Sequence, residues 1–125
     1  VLTSTFSDFR GRGGVSIARH TPGWFRGEVL TDLAPGEWFN RVSEAEYARR
    51  YGEQLAALDP AKVVADLTAA ARGREPVLLC FEPHLDCALG KTFCHRHMAA
   101  RWLHLHTGLI VPEFDPMPAD QLALF

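Results

Sequence analysis

No stretch of this chain approaches the roughly 20 consecutive apolar residues that cross a bilayer as a helix, and it carries no internal repeat or low-complexity tract. Neither sign of charge dominates. Thirteen Lys and Arg against fifteen Asp and Glu leave a formal charge of -2, so net charge gives no indication of a general electrostatic grip on nucleic acid, and only a local basic patch stays open. Cysteine is scarce as well. Three residues, an odd number, with no paired Cys-x-x-Cys knuckles, argue against a disulfide framework and for reduced thiols, metal ligation or catalysis. The first residues lack the charged, apolar and small-residue order of a signal peptide, and the expectation is a cytoplasmic protein with no membrane contact.

What the chain does have is enough apolar material for a core. At 125 residues and 47% hydrophobic content, residues 1–125 fit one compact domain, since domains typically run about 100–150 residues. Leu2 to Thr5 and Val15-Ser16-Ile17 read as short strands around the turn-rich Arg10-Gly11-Arg12-Gly13-Gly14. These glycines lack the following helix that a phosphate-cradling loop requires. Val77-Leu78-Leu79-Cys80-Phe81 does not alternate, as expected of a strand buried on both faces of a parallel sheet.

Helical signals are stronger. Ser43-Glu44-Ala45-Glu46 is a capping box, and the stripe Tyr47, Tyr51, Leu55 predicts a helix over about Glu44 to Ala57. Asp59-Pro60 then supplies an N-cap and a first-turn proline for a second helix ended by Gly73. A last helix is expected from Thr92 as N-cap to Gly108, burying Met98, Trp102 and Leu105 with His95 near its start. Ile110-Val111 reads as a final strand, and residues 112–125 as an extended tail. Residues 19–42 form a long punctuated loop carrying Arg19, His20, Trp24, Phe25, Arg26, Trp38, Phe39 and Arg41. That mixture suits stacking on a planar ligand while neutralising an anion, although at least two of the four large aromatics are expected to pack back as core.

The densest chemistry lies where the strand ending at Glu82 meets the helix opened by Cys94-His95-Arg96-His97. A thiol in a first helical turn, beside His95 and Arg96, has the electropositive surroundings that favour a thiolate and attract anions. The catalytic candidates are therefore Cys94, His95, Glu82 and Cys80. Arg19, Arg96, His20 and Trp24 are the candidates for binding a ligand. A phosphatase loop of the Cys-x5-Arg kind is excluded, because Asp86 and Ala100 occupy the required positions. An alternative four-ligand metal set is Cys80, Cys87, Cys94 and His97, with Cys94 and His97 on one helix face. His104 lies two turns beyond His97, about 10 Å by helical rise, and cannot join it.

Leu2-Thr3-Ser4, Ile17-Ala18-Arg19 with Pro22-Gly23-Trp24-Phe25, Leu33-Ala34-Pro35 and Leu58-Asp59-Pro60 carry a resemblance over nearly the whole chain. More specific are Leu78-Leu79-Cys80-Phe81-Glu82 and Cys94-His95-Arg96-His97 leading to Ala100-Arg101-Trp102-Leu103. The chain resembles the bacterial domain-of-unknown-function 488 family. The resemblance implies that Cys80, Glu82, Cys94, His95 and Arg96 are two halves of one site, joined by Arg19. Ala18 stands where the family usually has serine, and the loop from Cys80 to Cys94 is longer than usual and adds Cys87.

The expectation is an α/β, three-layer domain with a short, mostly parallel sheet flanked by helices and a site at the carboxyl edge of the central strands. Its expected activity is that of a thiol-dependent transferase or hydrolase acting on a small anionic or nucleotide-like ligand. The contrasting expectation is a binding module whose cysteines and His97 hold zinc or iron as cofactor while the aromatic loop contacts a partner.

Overall fold

The computed structural model describes residues 1–81 and 94–114. Four strands, β1 (Leu2–Thr5), β2 (Gly14–Ser16), β3 (Glu28–Val29) and β4 (Val77–Cys80), form one sheet in the order β1-β4-β2-β3. All three pairings are parallel, with Leu2 opposite Val77, Gly14 opposite Val77 and Val15 opposite Glu28. The unbroken apolar run of β4 has its expected cause: the strand is central and every one of its residues is buried.

Three helices follow from local signals. In α1 (Glu44–Ala56) the Ser43 hydroxyl accepts the Glu46 N–H at 3.2 Å, closing the N-terminus, and Tyr47, Tyr51 and Leu55 face inward. Ser43→Ala is expected to cost about 1 kcal/mol of stability through loss of this cap, read as a lower midpoint in urea denaturation. Asp59 caps α2 (Pro60–Ala70), which has proline in its first turn and buries Val63 and Leu67. Helix α3 (His95–Thr107) ends at Gly108 with φ 76°, a left-handed position that suits glycine.

The start and the face of α3 depart from the sequence reading. Thr92 lies outside the described residues, and the N-cap position is taken by Cys94, in an extended conformation. The buried face is His95, Arg96, Ala99, Trp102 and Leu103, while Leu105 is 67% exposed. The helix is thus rotated so that Arg96 points inward, because a buried partner awaits it there. The strand expected at Ile110-Val111 does not form either. Pairing comes later, as an isolated parallel bridge between Thr3 and Glu113, with Phe114 donating its N–H to the Thr3 carbonyl at 2.7 Å.

Helices α1, α2 and α3 pack on the sheet face that presents Val15, Ile17 and Leu78. The opposite face, carrying Val77 and Leu79, is covered among the described residues by Phe6, Phe9 and Phe25. Among the described residues that cover is aromatic loop. Its origin is the connection of residues 6–13 between parallel β1 and β2, which is short for a crossover and suffices because the strands span only three or four residues. Gly13, at φ +95°, closes that connection; a Cβ there would sit 2.5 Å from the Glu75 carbonyl oxygen. Residues 19–42 contain β3 and two single 3-10 turns, Thr31–Leu33 and Glu37–Asn40. No helix of the described residues is long and apolar enough to cross a membrane.

Candidate thiol site

Parallel strands present their carboxyl ends at one edge of a sheet, and the end of β4 delivers Cys80 there, beside the residues that follow β2. Cys80 points to the helix-bearing face, as Leu78 does two residues earlier. A cavity of about 140 Å³ opens at this edge. Its wall includes Cys80, His95, Arg19, His20, Tyr47 and Phe39. Cys80, His95 and the adjacent pair Arg19 and His20, from three segments far apart in sequence and all proposed as functional from it, thus meet around one space.

His95 is 3% exposed and its Nε2 lies 2.7 Å from the Ile17 carbonyl oxygen. A carbonyl only accepts, so Nε2 carries a proton, and in the neutral ring the lone pair is then on Nδ1. Tyr51 packs edge-on against the ring at 5.4 Å and donates its own hydroxyl to the Leu33 carbonyl at 2.6 Å. Burial and the neighbouring Tyr47 and Cys80 push the Tyr51 phenol well above its ordinary value, so this hydroxyl serves as a fixed donor. Arg19 and His20 stand at the exposed rim. Arg19 pairs with Glu37 at 2.9 Å across open surface, an interaction typically worth about 0–1 kcal/mol and readily exchanged for another anion.

Arg96 is the organising group beneath the cavity. It is 0% exposed. Nε and Nη2 donate to the two oxygens of Glu113 at 3.0 and 2.7 Å, while Nη1 donates to Cys80 Sγ at 2.9 Å and to Cys94 Sγ at 3.0 Å. Burial opposes its charge, but the Glu113 carboxylate and Cys80 outweigh burial and raise its pKa. Seen from the sulfur, the same attraction works against burial, which at 0% exposure disfavours the anionic form of Cys80. Glu113 is held by the same network. Burial pushes its carboxyl up, and hydrogen bonds from His97, Arg96 and Thr3 more than reverse this, leaving it well below the usual carboxylate range.

The structure redistributes the roles read from sequence. Cys94 is buried and disulfide-bonded, so the expectation against disulfide bonding is corrected at this residue and Cys94 is not the activated thiol in this state; Cys80 is a free cysteine. Arg96 is not a surface anion clamp, because its fork is engaged by Glu113 and the sulfurs. Trp24 lies away from the cavity, against Phe6 and under Arg10. Glu82 and Cys87 fall outside the described residues. His97 has its Nε2 3.5 Å from Glu113, and no group of three metal-ligating side chains occurs among the described residues. The set Cys80, Cys87, Cys94 and His97 is therefore not assembled from them, and a disulfide sulfur is not the thiolate that zinc or iron takes.

Sequence reasoning missed Glu113. It lies in a stretch with no periodicity, and its only signal is a lone carboxylate between Pro112 and Phe114. It also treated Tyr47 purely as core, although the ring reaches the cavity wall. No family model, curated protein or solved structure matches this chain.

Proposed function

We propose that this chain is a thiol-dependent transferase or hydrolase for a small anionic substrate, with Cys80 as nucleophile. The observation that carries this reading is the short contact from the buried Arg96 Nη1 to Cys80 Sγ at the wall of a cavity shared with His95. Guanidinium donors have no lone pair to offer a thiol proton, so their natural counterpart is a thiolate, the reactive form of cysteine. The thiolate adds to an electrophilic carbon of the substrate, the new sulfur–carbon bond forms, and the leaving group departs with its electron pair. The leaving group takes its proton from solvent, and His95 Nδ1 then accepts the proton of the water or acceptor that attacks the same carbon and releases the Cys80 thiolate, while Nε2 stays on the Ile17 carbonyl. Arg19 and His20 meet the anionic part of the substrate at the rim. A cavity of about 140 Å³ limits the part that enters to a few non-hydrogen atoms. In a cytoplasmic setting Cys80 stays reduced, and the Cys94 disulfide is then a transient one. The resemblance to the domain-of-unknown-function 488 family agrees with a site built from these two segments.

Alkylation tests this reading. Iodoacetate, which mimics a small anionic electrophile, is expected to modify Cys80 in the folded protein, as read by peptide mass analysis. Its rate relative to neutral iodoacetamide should fall several-fold in Arg19→Ala. A Cys80 that stays unmodified until the protein unfolds would reject the nucleophile. Equal rate ratios in the two proteins would reject the anionic substrate.

A further inference from the structure

A second cavity, lined by charged residues, lies at the other end of the strands from Cys80. About 620 Å³ opens where β2 and β3 begin and α2 ends. Five arginines line it, Arg10, Arg12, Arg26, Arg72 and Arg74, against one acidic residue, Glu28. In a chain of net charge -2, this is a strong local excess of positive charge. Part of it has structural employment. Arg72 pairs with Glu28 at 2.7 Å, and Arg26 donates to the Gly23 carbonyl at 2.8 Å. Arg72 and Arg74 also follow the C-terminus of α2, where cations complement the helix dipole. Arg12 and Arg74 nevertheless have no ion pair among the described residues, and both are exposed.

Two further features distinguish the groove from a solvated charged face. Trp24 stands in its wall, 46% exposed, braced edge-on by Phe6 at 6.4 Å and covered by the Arg10 guanidinium at 4.2 Å from its ring centroid. A large aromatic held in place beside cations offers a stacking surface for a flat ring. The second feature is the Arg-Gly-Arg-Gly-Gly turn itself. Gly11, Gly13 and Gly14 all line the groove, so no side chains stand between the two turn arginines and a ligand that approaches the backbone. The volume lies within the roughly 300–1,000 Å³ of small-molecule sites.

We propose that this groove binds a nucleotide unit, with its phosphate on the Arg12 and Arg74 guanidinium forks and its base stacked against Trp24 and Arg10. Guanidinium groups suit phosphate because two N–H donors match two oxygens. The site is separate from the thiol cavity, and neither proposal depends on the other. Its ligand is either a free nucleotide or a nucleotide within a single strand, which present the same phosphate and base.

Four titrations at one fixed salt concentration test it: labelled single-stranded DNA and RNA oligonucleotides by fluorescence anisotropy, and ATP and tripolyphosphate by calorimetry. The double variant Arg12→Ala/Arg74→Ala should weaken all phosphate ligands that bind at least tenfold. Trp24→Ala should weaken ATP and oligonucleotides several-fold and leave tripolyphosphate unchanged. Arg101→Ala, an exposed arginine on α3, should change nothing. Oligonucleotide binding without ATP binding identifies the strand as ligand, and the reverse identifies the free nucleotide. Absence of binding by the intact protein, unchanged binding in the double variant, or equal loss in Arg101→Ala would overturn the proposal. Loss of tripolyphosphate binding in Trp24→Ala equal to that of ATP would overturn the stacking role.

Discussion

Arg96→Ala is expected to destabilise the protein by about 3–5 kcal/mol, the scale for removing one member of a buried ion pair. The guanidinium is wholly enclosed and donates to both oxygens of Glu113 and to two sulfurs. Its loss leaves the Glu113 carboxylate and the Cys80 sulfur without their cationic partner and opens a space the size of its side chain. Urea denaturation of the variant should show a greatly lowered midpoint or no folded baseline. Arg96→Met, which keeps much of the volume but not the charge, separates packing from electrostatics. It should recover part of the stability and none of the Cys80 reactivity. A midpoint within about 1 kcal/mol of wild type for Arg96→Ala would mean that the buried pair is not what orders the α3 start.

The second large effect concerns Glu113 and acid. Its carboxyl is lowered from an ordinary value of 4.5 because, although burial raises it, hydrogen bonds from His97, Arg96 and Thr3 lower it further. A group whose folded pKa lies below its unfolded pKa binds fewer protons when folded, so stability rises with pH across that interval. Its contribution is complete above the ordinary carboxylate range and is lost progressively as the pH falls below it. Glu113→Gln keeps the shape and removes the charge. At neutral pH it should cost about 3 kcal/mol, since the buried Arg96 loses its carboxylate partner. Its stability should also fall less steeply than that of wild type between pH 5 and 2, a window that follows from the lowered carboxyl. Parallel slopes in the two proteins would show that other carboxylates govern acid unfolding.

Much of the frame was legible because its signals are local. Ser43 with Glu46, and Asp59 with Pro60, each mark a helix start through groups within three residues, and the structure follows both. The run Val77 to Cys80 announced a central strand because burial on both faces removes alternation. The start of α3 was misread for the opposite reason. Cys94, His95 and Arg96 take their positions from the Ile17 carbonyl, Cys80 and Glu113, partners far away in sequence that leave no periodic trace. An arginine on an apolar face reads as a surface residue until its carboxylate is known, and Glu113 is seventeen residues downstream. That the carboxyl end of β4 and the start of α3 come together was readable from the strand-to-helix order. The thiol that Arg96 contacts there was not. Cys94 had the sequence context of an activated cysteine, whereas Cys80 resembled a small core hydrophobe, and only the fold brings a guanidinium onto its sulfur.

The central claim is that Cys80 is a thiolate at neutral pH because Arg96 holds it there. The most direct measurement is the ultraviolet thiolate absorbance of wild type titrated with pH and corrected by the same titration of Cys80→Ser, so that only Cys80 contributes to the difference. The account predicts a difference signal already developed at pH 7, below the ordinary cysteine value of about 8.5, and displaced upward in Arg96→Met. A difference signal that develops only at or above about 8.5, unchanged in Arg96→Met, would contradict it and return Cys80 to the role of a packed core residue.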